Sequence, residues 1–276
     1  MTTDKKILFS DLDGTLLNSE KNINKTDLAA IRKMTANGHK FVIATGRPIQ
    51  SALKIAERYD FVTPGFYIAS FNGGLIYDCY KKTTIEKHTV PLKIVRHLFD
   101  EAAKAGLHCH TYSRTHVISE HDTEALKHYT KHIGMPSLVV DDVTAALTEE
   151  PVKLIVISLK GRIELTAFRE KLAPWESGKL SSTFSSDILL EYANPNSTKG
   201  NAVKFLCNYF GIPITYAIAA GDEENDISMI DAAGCGVVMC NGTDITKAHA
   251  DYITEHDNDH GGIAEIIEKF ILTNAS

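Results

Sequence analysis

Short apolar runs alternate along this chain with longer segments in which apolar positions recur every three or four residues. Ile7–Ser10, Lys40–Ala44 and Phe66–Ser70 are runs of the kind that form strands buried on both faces. Between the first two, Thr26–Asn37 sets Leu28, Ile31, Met34 and Thr35 near one face and meets Gly38, a helix followed by a stop signal. Gly46 breaks the second strand, and Pro48 then suits the first turn of a helix over Ile49–Tyr59. Asn72-Gly73-Gly74 predicts a tight turn from the third strand into another at Leu75–Asp78. Strands and helices alternating at this spacing predict βαβ units and a parallel sheet.

The last third repeats this grammar. Strands are expected at Ile188–Tyr192, Tyr216–Ala220 and Gly236–Met239, and helices at Lys199–Phe210, Asp226–Ala233, Thr243–His249 and Gly262–Ile271. From about Thr84 to Asp187 the pattern changes. Helices at Pro91–Lys104, Thr123–His132 and Arg162–Leu172 mix with strands at Leu107–Tyr112, His116–Ser119, Lys153–Leu159 and Leu180–Phe184. Strands linked by hairpins suit an antiparallel or mixed sheet with helices on one face. The expected fold is therefore α/β, a Rossmann-like parallel-sheet core over residues 1–84 and 188–276. An α+β domain over residues 85–187 is inserted in it.

Composition narrows the class. At 43% hydrophobic residues the chain can bury a sizeable core, and its net charge of −6 with no long basic stretch argues against nucleic acid as a partner. No apolar run approaches the ~18 residues of a membrane helix, and Ile7–Phe9 is too short for the apolar part of a signal peptide. Five cysteines scattered without a CxxC read as reduced thiols, so a cytoplasmic location is expected.

Ligands of open α/β sheets bind beyond the carboxyl ends of the strands, and four polar clusters stand there. They are Asp11-Leu12-Asp13-Gly14-Thr15, Thr45-Gly46-Arg47, Lys199-Gly200 and Gly221-Asp222-Glu223-Glu224-Asn225-Asp226. Two carboxylates about 4 Å apart repel by about 4 kcal/mol at an effective dielectric near 20, so either some are protonated or a cation sits among them. Oxygen donors without Cys or His favour Mg2+ over zinc or copper. Lys199, Thr45 and the N–H groups of a glycine turn supply what a phosphate dianion requires.

These motifs resemble the haloacid dehalogenase-like superfamily, and within it the Cof-type sugar-phosphatase-like branch. The matching stretches are Asp11-Leu12-Asp13-Gly14-Thr15-Leu16, Thr45-Gly46-Arg47, Lys199-Gly200 and Gly221 through Met229, with Phe71-Asn72-Gly73-Gly74 resembling a further family loop. The resemblance implies a Mg2+-dependent phosphatase of small phosphorylated metabolites, with the insert as its cap. It implies Asp11 as nucleophile, forming an aspartyl-phosphate, and Asp13 as general acid and base. Asp11, the backbone carbonyl of Asp13, and Asp222 would hold Mg2+. Thr45, Lys199, Asn225 and the amides of Leu12 and Gly46 would bind phosphoryl oxygens, Arg47 would touch phosphate or substrate, and Asp226 would support the site from behind. A phosphomutase on the same core and a non-catalytic sensor of a phosphorylated ligand are the alternatives.

Other features carry blander expectations. An EF-hand needs glycine at its sixth position, and Gly14 is fourth from Asp11. His108 and His110 alternate on one strand, without companions at metal spacing, and are expected as exposed strand histidines. Asp257-Asn258-Asp259-His260-Gly261 has the look of a cation loop but is expected as an N-cap and turn before the last helix. Cys235 and Cys240 are expected as small core residues.

Overall fold

The computed structural model describes residues 5–273. In chain order the elements begin with β1 (Ile7–Ser10), α1 (Lys25–Ala36), β2 (Lys40–Ala44), α2 (Ile49–Arg58), β3 (Phe66–Ser70), β4 (Leu75–Asp78) and β5 (Thr83–Lys87). Next come α3 (Leu92–Lys104), β6 (His108–Tyr112), β7 (Val117–Ser119), α4 (Glu124–Ile133), β8 (Ser137–Val139), α5 (Val143–Ala146) and β9 (Lys153–Ile157). Then follow α6 (Arg162–Glu176), β10 (Ser181–Ser186), β11 (Leu189–Ala193), α7 (Lys199–Phe210), β12 (Ala217–Gly221) and α8 (Ile227–Ile230). The chain closes with β13 (Cys235–Val238), α9 (Asp244–Lys247), β14 (Tyr252–Ile253) and α10 (Gly262–Phe270).

The described residues divide into two compact units, residues 5–86 with 197–273, and residues 87–196. The larger is built on a sheet in the order β14-β13-β12-β1-β2-β3-β4-β5. Strands β14 through β3 run parallel, and β4 returns antiparallel on β3. Because side chains alternate across a strand, β1 sends Leu8 to one face and Ile7 and Phe9 to the other. Leu8, Phe41, Ile43 and Ile68 pack with Ile31 and Met34 of α1, Ala52 and Ala56 of α2, and Ile263 and Ile267 of α10. Ile7, Phe9, Val42 and Ala69 pack with Val203 and Leu206 of α7 and Met229 of α8. Helices on both faces explain why these strands read as unbroken apolar runs.

The smaller unit carries a mixed sheet in the order β10-β11-β9-β6-β7-β8, antiparallel except where β7 meets β8. Cys109, Leu154, Val156, Leu190 and Tyr192 face Val95, Leu98 and Phe99 of α3 and Leu165, Phe168 and Leu172 of α6.

Four local expectations change. The strand at 188–192 does not join the larger sheet: as β11 it pairs with β9 and β10, so residues 188–196 stay in the smaller unit and the return falls at Ser197 rather than Asp187. Its alternating Leu190 and Tyr192, buried, against half-buried Leu189, Glu191 and Ala193, suits a sheet with unlike faces. His108 and His110 are buried, not exposed, because the second face of the sheet also meets a helix. The His110 ring lies 4.4 Å from that of Tyr129 on α4, and His108 Nε2 is 3.1 Å from His110 Nδ1. The helix expected at 226–233 is a 3-10 turn, Glu224–Asp226, running into the short α8. Finally, Cys235 and Cys240 are half-buried where full burial was expected, Cys235 packing against the margin of the core.

Candidate active site

Register assembles the polar clusters. Ser10 pairs with Ala220 on one side and Ile43 on the other, so Asp11 leaves β1 level with Gly221 and Ala44. Asp222 and Thr45 follow by one residue each. The Asp11 amide continues the ladder onto Ala220 O at 2.9 Å, as Thr45 does onto Ala69 O at 2.9 Å. Lys199 arrives as the first residue of α7, whose N-cap Thr198 accepts from the Asn201 amide. Gly200 permits that approach, since a Cβ there would lie 2.2 Å from Ser228 O.

The result is a buried cluster in which carboxylate oxygens of Asp11, Asp222 and Asp226 lie within 4.8 Å of one another. Lys199 Nζ, wholly buried, donates to Asp11 Oδ1 and Asp226 Oδ1, each at 2.5 Å. The other oxygen of Asp226 accepts from the amides of Asp222 and Glu223 at 3.0 and 3.1 Å. Both its oxygens are thus engaged by protein donors. Asp222 Oδ1 accepts from the Thr15 hydroxyl at 2.7 Å, and Asp222 Oδ2 faces Gly14, where a Cβ would stand 2.3 Å away. Gly14 also has φ +82°, a conformation glycine adopts cheaply.

Burial dominates the electrostatics. It raises the Asp11 carboxyl to about 8, against the pull of Lys199 and reinforced by Asp226 and Asp222. Burial likewise raises Asp222 to about 6, against its bond from Thr15. For Lys199, burial disfavours the charge but the attraction of Asp11 and Asp226 outweighs it, so the ammonium is held well above its ordinary value. Three carboxylates against one ammonium leave two negative charges when all are ionised. A hard divalent cation with oxygen ligands fits that donor set and that charge, and Asp11 and Asp222 are the carboxylates that could hold it.

Asp13 stands apart from the buried cluster. Arg47 grips it with two bonds, Nη2 to Oδ1 at 2.6 Å and Nε to Oδ2 at 2.7 Å, and Lys21 Nζ adds a third to Oδ1 at 3.1 Å. Partial burial pushes its carboxyl up, but the bonds and charge of Arg47, then those of Lys21, leave it below its ordinary value. The Arg47 guanidinium therefore lies on Asp13 in this structure. Thr45 is buried, and its hydroxyl accepts from the Arg47 amide at 3.1 Å.

Three residues outside the expected set border this region. Thr15 fixes Asp222, and Lys21 reaches Asp13. Asn72 accepts weakly from Asn225 Nδ2 at 3.5 Å, and its oxygen would lie 3.1 Å from a Cβ on Gly46. The expected tight turn is there a left-handed one, with Phe71, Asn72 and Gly73 at φ +52°, +56° and +90°. Two consecutive non-glycine residues in that region are strained, which marks a constrained loop. The Phe71-Asn72-Gly73 stretch was a signal for Asn72; nothing in sequence spacing points to Lys21. Gly46 lies between Thr45 and Arg47 and beside Asn72, while the Leu12 side chain is wholly buried in the core beneath.

Comparison with known proteins agrees with this geometry. The family model described as haloacid dehalogenase-like hydrolase matches residues 8–267. The chain is 30% identical over 285 residues, covering 98% of it and 99% of the relative, to the 5-amino-6-(5-phospho-D-ribitylamino)uracil phosphatase YitU of Bacillus subtilis. Among solved structures it is similar to a haloacid dehalogenase-like hydrolase from Bacteroides thetaiotaomicron, with TM-score 0.87, 29% identity, and 96% and 98% of the two chains covered. It is also similar to TM0651 from Thermotoga maritima, with TM-score 0.84, 25% identity, and 96% and 97% covered. With the match running from β1 into α10 and so through every strand that carries the carboxylates, the chain belongs to the haloacid dehalogenase-like hydrolases.

Proposed function

We propose that this protein is a Mg2+-dependent phosphatase of small phosphorylated metabolites that works through an aspartyl-phosphate on Asp11. The observation that carries the reading is the buried cluster of Asp11, Asp222 and Asp226 around Lys199, two negative charges in excess. Without a cation, burial and the neighbouring Asp226 and Asp222 raise the Asp11 carboxyl and so favour its protonated form. Mg2+ held by Asp11, Asp222 and the backbone carbonyl of Asp13 would supply the positive charge that keeps Asp11 ionised and neutralises phosphoryl oxygens.

An ionised Asp11 oxygen attacks phosphorus as the bond to the leaving oxygen breaks, and Asp13 gives that oxygen its proton. Water then passes a proton to Asp13, attacks phosphorus and releases Asp11 with inorganic phosphate. Thr45, Asn225, Lys199 and the amides of Leu12 and Gly46 bind the phosphoryl oxygens, with Arg47 beside them. Asp226 acts by holding Lys199. Asp13 is ionised while Arg47 and Lys21 hold it; a phosphate dianion beside it opposes that charge and favours the protonated form. Spontaneous phosphomonoester hydrolysis is slow enough to demand up to ~10²¹-fold acceleration, and general acid–base help supplies only about 10²–10⁴ of it. Charge neutralisation and in-line placement of Asp11 must provide the rest.

The smaller unit acts as the cap that chooses the leaving group. The YitU relative, named for a phosphorylated ribityl-pyrimidine, supports a polyol or sugar phosphate as substrate class. No helix among the described residues is long and apolar enough to cross a membrane, and we place the protein in the cytoplasm. Phosphate release from p-nitrophenyl phosphate and a panel of sugar and polyol phosphates, in Mg2+ and with Asp11→Asn beside the wild type, tests the reading. A loss of at least about 10³-fold is expected, by analogy with removing a nucleophile that acts as part of a unit. Retention of more than about a hundredth of the rate refutes Asp11 as nucleophile.

A further inference from the structure

We infer that Lys21 is the positioning residue that decides which oxygen of Asp13 exchanges its proton with the leaving group, and that the Asp257–Gly261 loop holds it in place. The inference rests on the phosphatase reading above for its chemistry, though not for its geometry.

Lys21 lies near the tip of a small loop closed on itself. Asn18 N donates to Asn22 O at 2.8 Å and Lys21 N to Asn18 O at 2.9 Å. The Asn18 side-chain oxygen accepts from the amides of Glu20 and Asn22 at 3.1 and 2.8 Å. Lys21 takes φ +58°, a left-handed conformation that a lysine holds only when its surroundings impose it. Those surroundings include the loop before α10. Asp259 accepts from the Ser19 amide at 2.7 Å and its hydroxyl at 2.6 Å, and Asn258 Nδ2 donates to Leu17 O at 2.9 Å. Asn24 Nδ2 donates in turn to Asp259 O at 2.8 Å. The expected N-cap lies in this stretch, at Gly261, which has no side chain with which to cap. The acidic loop is a bracket for the Asn18–Asn22 tip.

What the bracket delivers is one ammonium on one oxygen. Arg47 alone would bind the two oxygens of Asp13 evenly. Lys21 breaks the symmetry, giving Oδ1 two cationic donors and leaving Oδ2 with one. Oδ2 is then the oxygen with a lone pair open to exchange a proton, and the carboxyl is fixed in rotation. Stability does not account for the arrangement: the Lys21 side chain is 65% exposed, and such ion pairs contribute little to folding.

The test compares an ester whose leaving group needs little protonation with one that needs much. Wild type, Lys21→Met, Lys21→Arg and Asp259→Ala are assayed on p-nitrophenyl phosphate and on glycerol 3-phosphate in Mg2+. Lys21→Met should lower kcat on the alkyl ester by about tenfold or more, part of the ~10²–10⁴ that a placed proton donor supplies, and lower the aryl ester much less. Lys21→Arg should restore most of the alkyl rate, and Asp259→Ala should fall on the same side as Lys21→Met. Parallel losses on both esters, or no change on either, overturn the assignment. A crystal structure of Lys21→Met gives a readout independent of turnover: the Asp13 carboxyl should rotate on Arg47, and an unmoved carboxyl overturns the inference. Should the wild type cleave neither ester, the phosphatase reading fails, and the role of Lys21 in fixing Asp13 is decided by that crystal structure.

Discussion

Replacing Gly14 with alanine separates two costs that the structure superimposes. The first is conformational: at φ +82° a Cβ meets the local backbone, an expense of about 1–2 kcal/mol. The second is local to the carboxylate cluster. The new Cβ would stand 2.3 Å from Asp222 Oδ2 and 2.9 Å from its Cγ, so Asp222 must withdraw until ordinary contact is restored. That withdrawal of roughly 1 Å pulls Asp222 from the Thr15 hydroxyl, and a bond to a charged group is worth about 1.5–3 kcal/mol. Gly211→Ala is the control. It lies in the same unit at φ +64° with nothing within 4 Å of its would-be Cβ, so it bears the first cost alone. Urea unfolding of the metal-free proteins should therefore show Gly14→Ala losing about 2.5–5 kcal/mol and Gly211→Ala about 1–2. Activity should part more sharply, because a displacement of about 1 Å at a reacting centre costs up to ~10²-fold, whereas Gly211→Ala leaves the carboxylates alone. Equal destabilisation by the two variants, or a Gly14→Ala enzyme as active as wild type, would refute the argument that Gly14 is there to admit Asp222.

Two further outcomes are expected. Burial, with a smaller contribution from His121, lowers His108 to about 4 from an ordinary 6.5, and burial also holds His110 well below its ordinary value. The unfolded chain then binds more protons below pH 6.5, so stability is full above that pH and falls towards pH 4, by about 3 kcal/mol for His108 at 1.36 kcal/mol per unit. Urea midpoints at pH 7 and pH 4.5 should move less in His108→Gln than in the wild type; identical pH slopes count against it. Separately, Mg2+ at about 100 times its Kd should raise unfolding free energy by about 2.7 kcal/mol, reversed by EDTA. In Asp222→Asn that gain should shrink, as read by thermal melting; an undiminished gain places the ion elsewhere.

The core strands were legible because a strand covered on both faces has nothing to alternate with: Ile7–Ser10 and Phe66–Ser70 are continuous apolar runs ending at the polar residues of the site. The pairing of Leu189–Ala193 was not legible, since the sequence Leu-Leu-Glu-Tyr-Ala is apolar at four of its five positions and does not show the alternation that its burial takes on beside Lys153–Ile157. His108 and His110 were misjudged for a related reason. Alternation tells that two residues share a face, not whether a later helix covers it, and Tyr129 comes nineteen residues after His110. At the site, residue type and spacing brought out Asp11, Lys199, Asp222 and Asp226, because a buried charge cluster needs those groups at strand and helix ends. Lys21 left no such trace, for its place depends on a left-handed tip and on Asp259, 238 positions further along the chain.

The position of β1 between β2 and β12 also governs how the protein is made. When a ribosome has finished Ile7–Ser10 and Lys40–Ala44, one side of β1 can pair, yet its other partner, Ala217–Gly221, is some 175 codons away. At roughly 5–20 residues per second that strand would wait for about 9–35 s with the backbone groups of one edge unpaired. An edge of that kind recruits other chains. Yield in cells should accordingly depend on holdase chaperones and on translation speed through the 110-residue insert, Lys87–Asn196.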